Sequence, residues 1–452
     1  MDFISRNPAT GEVIARYGLM SDEELDAALD RAWHAARRWR ATSLEERRAA
    51  VLRVAEILQM HREEAARLAA LEMGKPIVQG RAELDKCAWA CRSLADQAEA
   101  ALAPVDVPTE FRRSRVVFEP LGVVLAIMPW NFPFWQVIRA AIPAMLAGNA
   151  VLVKHSPEVT GCALLLDRMM AEAGLAEVYT TIRASHQQIA ALIGDARIAG
   201  VTLTGSTRAG RHVAARAGEA LKKTVLELGG SDPYLVLDDA DLAYAAETCA
   251  ATRMINSGQS CIAAKRFIVL ESVRSAFEEM LVEHMRRYQP ADPLAEETML
   301  GPLARPDLAE TLAAQAAKSI EEGARVLLAG GPTGSGAYVR PIVLTDVQPG
   351  MPAFDEETFG PLAVVVPART EEEAILLANR STYGLGAAVF TQDLDRAERI
   401  AAQLEAGSVF INAFVRSDPR LPFGGIKSSG WGRELSVFGL REFVNIKTVV
   451  VA

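Results

Sequence analysis

The spacing of hydrophobic positions changes character near residue 115. Before it, apolar residues recur at helical intervals, and Val51, Val54, Ala55 and Leu58 form an i, i+3, i+4, i+7 stripe. Ser21-x-x-Glu24 and Ser43-x-x-Glu46 mark two helix starts, where hydroxyl and carboxylate satisfy the free N–H groups of the first turn. Met73-Gly-Lys-Pro76 predicts the end of the second helical stretch, because Gly adopts the left-handed conformation and Pro blocks continuation.

Beyond residue 115, short β-branched runs alternate with helical stretches. A first series comprises VVLAIM (123–128), AVLV (150–153), VTLT (201–204), TVLEL (224–228) and YLVL (234–237). A second, after Cys261, comprises FIVL (267–270), ARVLLA (324–329), AVVV (363–366), AAVF (387–390) and SVFI (408–411). Continuous apolar strands separated by helices predict parallel sheets covered on both faces. The expected fold class is α/β, with two open parallel-sheet domains and a ligand cleft between them. The terminal VNIKTVVVA reads as an apolar edge strand, which invites pairing and predicts a partner subunit there.

Composition narrows the function classes. With 452 residues, 50% hydrophobic and 23% charged, the chain has an ordinary globular balance. A formal charge of −9 gives no electrostatic footprint for nucleic acid or an anionic membrane, so neither is an expected partner. The first twenty residues lack the apolar core of a secretory signal, and the most apolar stretch, 140–153, is too short to span a bilayer. Five cysteines without paired spacing argue against a disulfide framework or zinc knuckle and fit a reducing cytoplasm. Six histidines without metal-ligand spacing leave no metal site expected.

Four positions are candidates for chemistry. Cys261 follows Asn256-Ser-Gly-Gln-Ser260. A lone Cys is most often a small buried hydrophobe. The polar, Gly-containing turn favours instead a thiol at a loop-to-helix junction, activated as thiolate by helix N–H groups. Thiolates add to carbonyls and form thioesters. Glu227 ends the TVLE run before Gly229-Gly230. It reads either as a surface carboxylate or as one at the C-terminal end of a buried strand, where partial desolvation makes a usable base. Asn131, within Pro129-Trp-Asn-Phe-Pro133, is either a turn former or an amide donor to an oxyanion. Gly205-Ser-Thr-Arg-Ala-Gly210 follows VTLT and opens a helix, an arrangement that holds phosphate, although its spacing is also that of a plain strand-to-helix turn.

Together these segments resemble the aldehyde dehydrogenase superfamily over nearly the whole chain. The motifs are Asn7-Pro-Ala-Thr-Gly11, Pro129-Trp-Asn-Phe-Pro133, Thr204-Gly-Ser-Thr207, Glu227-Leu-Gly-Gly230, Gly258-Gln-Ser-Cys261, Glu357-Thr-Phe-Gly-Pro361 and Pro422-Phe-Gly-Gly425. The resemblance implies two Rossmann-like domains. Residues 1–101 and 121–229 would bind cofactor, 230–428 would be catalytic, and 102–120 with 429–452 would form an oligomerisation hairpin and C-terminal strand in a homodimer or homotetramer. It implies Cys261 as nucleophile, Glu227 as general base, and Asn131 with the Cys261 backbone N–H as oxyanion hole. It implies NAD or NADP, with Lys154 and Glu357 on ribose hydroxyls, Ser206 on the pyrophosphate and Phe359 beside the nicotinamide ribose. Trp130, His155, Ser156, Pro157, Gly205 and Leu228 match positions lining that site. Aldehyde oxidation to a carboxylic acid through a cysteine thioester is the implied activity, and Glu227 favours the hydrolytic branch over coenzyme-A acylation.

Arg139 lies eight residues after Asn131, a helical spacing that puts both side chains on one face. It reads either as a helix Arg paired with a carboxylate or, by similarity to succinate-semialdehyde dehydrogenases, as a clamp for a distal carboxylate. Gly229-Gly-Ser-Asp-Pro233 and Lys154-His-Ser-Pro157 resemble the short bacterial form of that enzyme, and Arg416 and Ser417 would give a second carboxylate contact. A semialdehyde with a terminal carboxylate, such as succinate or glutarate semialdehyde, is the implied substrate. An aliphatic or amino aldehyde, or a non-catalytic cofactor-binding relative, are the alternatives. Three features depart from the family. Residues 179–188 lack a Gly-rich loop. Pro157 stands where many NAD-selective members carry Glu, with Glu158 one later, which admits NADP. Ala263 replaces the second Cys of a redox switch, so no switch is expected.

Overall fold

A computed structural model describes residues 2–452. Both N-terminal capping boxes form, opening helices Asp22–Arg40 and Leu44–Met60. The chain breaks at His61, continues as Arg62–Met73, and stops at Gly74 with φ 77°. A long helix, Ile77–Leu102, then packs with these against the Trp135–Leu146 helix, through Leu58, Leu84, Leu94 and Ile138 among others.

The first sheet has six strands in the order Gly430–Trp431, Lys223–Glu227, Ile198–Thr204, Val123–Met128, Ala150–His155 and Tyr179–Ile182. All pairs are parallel except Gly430–Trp431, which runs against Lys223–Glu227. Its strands are buried on both faces, as the continuous apolar runs require. Val124 and Ala126 join the core of the Leu44–Leu102 helices, whereas Val123 and Leu125 join that of Asp22–Arg40. Strand order reverses between Val123–Met128 and Ile198–Thr204, so their carboxyl ends open the crevice where such sheets bind ligands.

The second sheet has seven strands in the order Arg325–Leu328, Ile342–Thr345, Leu362–Ala368, Ala264–Leu270, Asp232–Val236, Gly386–Phe390 and Ser408–Ile411. Only Arg325–Leu328 is antiparallel. This corrects the grouping of the YLVL run, which lies in the middle of the second sheet rather than in the first. The bend at Gly229-Gly230 takes the chain from one sheet to the other. A Cβ on Gly229 would lie 2.6 Å from Glu357 Oε2, and one on Gly230 2.6 Å from the Cys261 carbonyl oxygen, so the passage admits only glycine.

A third sheet pairs Val444–Val451 with Arg113–Pro120, which also pairs with Val105–Asp106. The terminal strand keeps one edge unpaired and leaves Ile446 and Val450 exposed. Among the described residues no helix is long and apolar enough to cross a membrane.

Candidate active site

Two cavities meet at Cys261. The larger, about 430 Å³, lies at the carboxyl ends of the first sheet and is lined by Trp130, Asn131, Ser206, Leu228, Glu357 and Phe359 among others. The smaller, about 140 Å³, is bounded by aromatic side chains from Phe132, Trp135, Phe414 and Phe423. Gln136 and Cys261 belong to both walls.

The turn before Cys261 is held in an unusual backbone conformation. Asn256, Ser257 and Gly258 have φ of 53°, 57° and 78°, and left-handed conformers of the two non-glycine residues cost on the order of 1 kcal/mol each. Surrounding bonds fix it. The Asn256 amide donates to the Asn131 carbonyl at 2.7 Å, the Ser257 hydroxyl to the Gly301 carbonyl at 3.0 Å, and Ala304 N–H to Gln259 Oε1 at 2.8 Å. A Cβ on Gly258 would sit 2.3 Å from the Gly360 carbonyl oxygen. The expected loop-to-helix junction is not found. After Cys261 the chain turns into strand Ala264–Leu270, so the turn that carries the thiol opens no helix of its own. Burial pushes the Cys261 thiol up to about 11, with the cations Arg139 and Lys265 pulling against it. Lys265 Nζ donates to the Cys261 carbonyl at 2.7 Å.

Asn131 lies in the turn after Val123–Met128, four residues before the Trp135–Leu146 helix. The shared helical face inferred for Asn131 and Arg139 therefore does not exist, because only Arg139 is helical. The Asn131 amide donates to the Gln259 carbonyl at 3.0 Å, and its oxygen accepts from Gln136 Nε2 at 3.0 Å. That acceptor bond fixes the amide orientation and leaves one N–H to offer the cavity. Glu83 braces the same loop by accepting from Phe134 and Trp135 N–H at 2.8 and 2.9 Å while ion-paired with buried Lys75.

Glu227 ends its strand as expected and is fully enclosed, with neither carboxyl oxygen hydrogen-bonded. Burial holds its carboxyl well above the usual range, Glu434 adds to the rise, and Arg139 opposes it. It lies behind the cavities rather than on either wall, beside Gly424, where a Cβ would come within 2.7 Å of Oε1.

The remaining predicted residues divide. Trp130, Ser156, Gly205, Ser206, Leu228, Glu357 and Phe359 line the larger cavity. Trp130 and Phe359 meet edge to face with ring centres 5.7 Å apart. The Ser206 hydroxyl caps helix Thr207–Glu219. Glu357 accepts from Gly230 N–H at 3.0 Å. Lys154, His155 and Pro157 are not part of that wall. The His155 ring donates to the Pro133 carbonyl at 2.8 Å and accepts from Ser156 N–H, while burial lowers it to about 4, so it stays neutral and pins the loop. Glu158 takes the Ser156 hydroxyl and ion-pairs with Arg305 at 3.0 Å. Arg139 lines the smaller cavity, but its guanidinium is ion-paired with Glu434 and stacked over Phe423, 4.4 Å from the ring centre. Arg416 is exposed over Phe414, and Ser417 is buried and accepts from Lys86 at 2.7 Å. Sequence reasoning missed Gln136, Asn256 and Lys86. The only available signal for Gln136 was its place one turn beyond Phe132.

The larger cavity fits a dinucleotide. It offers a capped helix N-terminus for phosphate, the Gly229 surface that any side chain would fill, and Glu357 as an acceptor for sugar hydroxyls. A thiol reached from both this cleft and an aromatic pocket, where two open α/β sheets face each other, defines a nucleotide-dependent enzyme of the cysteine type. The chain belongs to the aldehyde dehydrogenase family, whose sequence pattern matches residues 2–449. It is 47% identical over 448 residues to succinate semialdehyde dehydrogenase [NAD(P)+] Sad of Escherichia coli (strain K12), covering 99% of this chain and 97% of that one. It is 45% identical to a probable succinate-semialdehyde dehydrogenase [NADP(+)] of Synechocystis, covering 99% of each. The crystal structure of succinic semialdehyde dehydrogenase from Streptococcus pyogenes in complex with NADP+ superposes with a TM-score of 0.97 at 36% identity, covering 99% of both chains.

Proposed function

We propose that this protein oxidises an aldehyde carrying a terminal carboxylate, succinate semialdehyde foremost, to the corresponding dicarboxylic acid with NAD or NADP. The observation that carries the reading is the meeting of the dinucleotide-sized cleft and the aromatic pocket at one thiol. The relatives named as succinate-semialdehyde dehydrogenases support the substrate, as do the cationic side chains Arg139 and Arg416 beside Ser417 on the smaller cavity. Acceptance of either cofactor is supported by Glu158, which stands one residue beyond the position of the NAD-selecting carboxylate and is engaged by the Ser156 hydroxyl and Arg305. Ser206, Glu357, Trp130, Phe359 and Leu228 would hold the cofactor, and Ser156 and Gly205 would flank it.

In this reading the Cys261 thiol gives its proton to solvent water as its sulfur adds to the aldehyde carbon, and the resulting oxyanion accepts from the Asn131 amide and the Cys261 backbone N–H. The nicotinamide ring, when bound, supplies the hydride acceptor. Loss of hydride leaves an acyl thioester on Cys261. Glu227 then rotates from its enclosed position, takes a proton from water, and the hydroxide releases the acid and the thiolate. Gln136 serves this sequence only by aiming Asn131. Gln136→Ala is expected to lower kcat about tenfold, equivalent to roughly 1.4 kcal/mol of lost oxyanion stabilisation, with KM little changed. Steady-state kinetics with a saturating aldehyde would show it.

The substrate assignment is tested by kcat/KM for succinate semialdehyde and for butanal, with each cofactor. The acid is expected to exceed the neutral aldehyde by about 100-fold or more, the scale of a charge-assisted contact, and equal values would overturn the reading. The unpaired edge of Val444–Val451, with its exposed Ile446 and Val450, supports a homodimer or homotetramer joined there. Five unpaired cysteines, one of them the proposed nucleophile, support a reducing cytoplasmic setting.

A further inference from the structure

The smaller cavity carries a cation that the reaction described above does not use. Lys86 projects from the long helix Ile77–Leu102 onto the wall that also holds Cys261. Its Nζ donates to Ser417 Oγ at 2.7 Å and lies over the Trp135 ring, 4.3 Å from the centre. Two carboxylates act on it from nearby, and both are committed elsewhere: Glu83 to Lys75 and Asp418 to Arg420. Arg139, across the same wall, adds repulsion. An ammonium carries three donors and gains most from an anion, so a half-buried one with a single hydroxyl acceptor and a ring face is under-satisfied. The wall around it is otherwise rich in Phe132, Ile255, Ile262, Phe414 and Phe423, which offer no counter-charge.

We propose that Lys86, with Ser417 beside it, is the specificity-determining cation that receives the distal carboxylate of the aldehyde. Arg139 cannot fill that place as readily, because Glu434 already occupies its guanidinium, and it contributes positive potential rather than the contact. Arg416 stands exposed near the same wall, where it attracts the anion before Lys86 binds it. The inference rests on the acid-semialdehyde reading and adds to it the group that enforces the preference.

A pH signature follows. Burial and the repulsion of Arg139 lower the Lys86 ammonium to about 8, with Cys87, Glu83 and Asp418 pulling the other way. The cation is present below that pH and lost above it, so carboxylate binding weakens as pH rises. KM for succinate semialdehyde is expected to climb above about pH 8, while KM for butanal does not follow it.

Lys86→Met, which keeps the length and apolar stem, is expected to lower the kcat/KM ratio of succinate semialdehyde over butanal about 10- to 100-fold, with the loss carried by KM. Lys86→Arg is expected to retain most of the ratio and to lose the rise in KM above pH 8, since guanidinium stays charged there. A ratio kept by Lys86→Met, or an unaltered pH profile in Lys86→Arg, overturns the assignment. The outcomes also separate this inference from the reading beneath it. A wild-type ratio near one removes the acid-semialdehyde substrate and Lys86 with it, whereas a high wild-type ratio preserved in Lys86→Met removes Lys86 alone.

Discussion

Cys261→Ala is expected to end aldehyde oxidation, with cofactor reduction falling by about 10⁴-fold or more while cofactor binding persists. The thiol is the one nucleophile shared by both cavities. Ser260 also lines the smaller cavity, but no general base contacts its hydroxyl among the described residues, and an unassisted hydroxyl is a poor substitute for a thiolate. The substitution removes a single sulfur from a turn held by Asn256, Ser257 and Gln259, so the fold and the cofactor cleft should survive. Quenching of tryptophan fluorescence by added cofactor, read beside the rate of its reduction, makes the measurement. A steady rate near that of the wild type would reject Cys261 as nucleophile.

Glu227→Gln is expected to separate the two halves of the reaction. One equivalent of reduced cofactor should form per site in a burst, followed by turnover reduced about 10²- to 10⁴-fold as the thioester waits for water. Rapid-mixing absorbance gives the burst amplitude directly. The sign of the pH effect comes from the burial of this carboxyl. Its proton is held well above the usual carboxylate range, so the ionised, basic fraction grows as pH rises, and the wild-type hydrolytic step should quicken with pH. The Gln variant has no such proton to lose and its residual turnover should lack that component. A wild-type steady rate in the variant would remove Glu227 from the role. Because the carboxyl lies behind the cavity walls beside Gly424, a larger residue at 424 would hinder its rotation as well.

Much of the architecture was legible because parallel sheets advertise themselves. Runs such as VVLAIM and AVVV are apolar on both faces, and the two Ser-x-x-Glu boxes set helix starts to the residue. Tyr179–Ile182, YTTI, was missed because two threonines interrupt its apolar run, and Ile342–Thr345 was passed over although its IVLT is as apolar as the recognised VTLT. The apolar pattern alone grouped the YLVL run with the first series, whereas the boundary at 229/230 implied by the resemblance put it in the second domain, because hydrophobicity records that a strand is buried, not which neighbours bury it. Only the Gly229-Gly230 passage decides that. At the site, Cys261, Asn131 and Glu227 stood out by their settings, whereas the state of the thiol did not. A strand rather than a helix follows Cys261, so burial governs its acidity. Gln136 and Lys86 were hidden for a simpler reason. A polar residue inside a helix looks the same in sequence whether it faces solvent or a cavity built by residues far along the chain, as Lys86 does toward Trp135 and far-off Ser417.

The short strand Gly430–Trp431 returns from the far end of the polypeptide to close against Leu226 and Glu227. The carboxyl-terminal tail thus stitches the two lobes into a loop, passing after the second sheet is complete back onto the edge of the first. Synthesis must be nearly finished before the wall behind Glu227 exists, because the strand that builds it lies only some twenty residues from the end of the sequence.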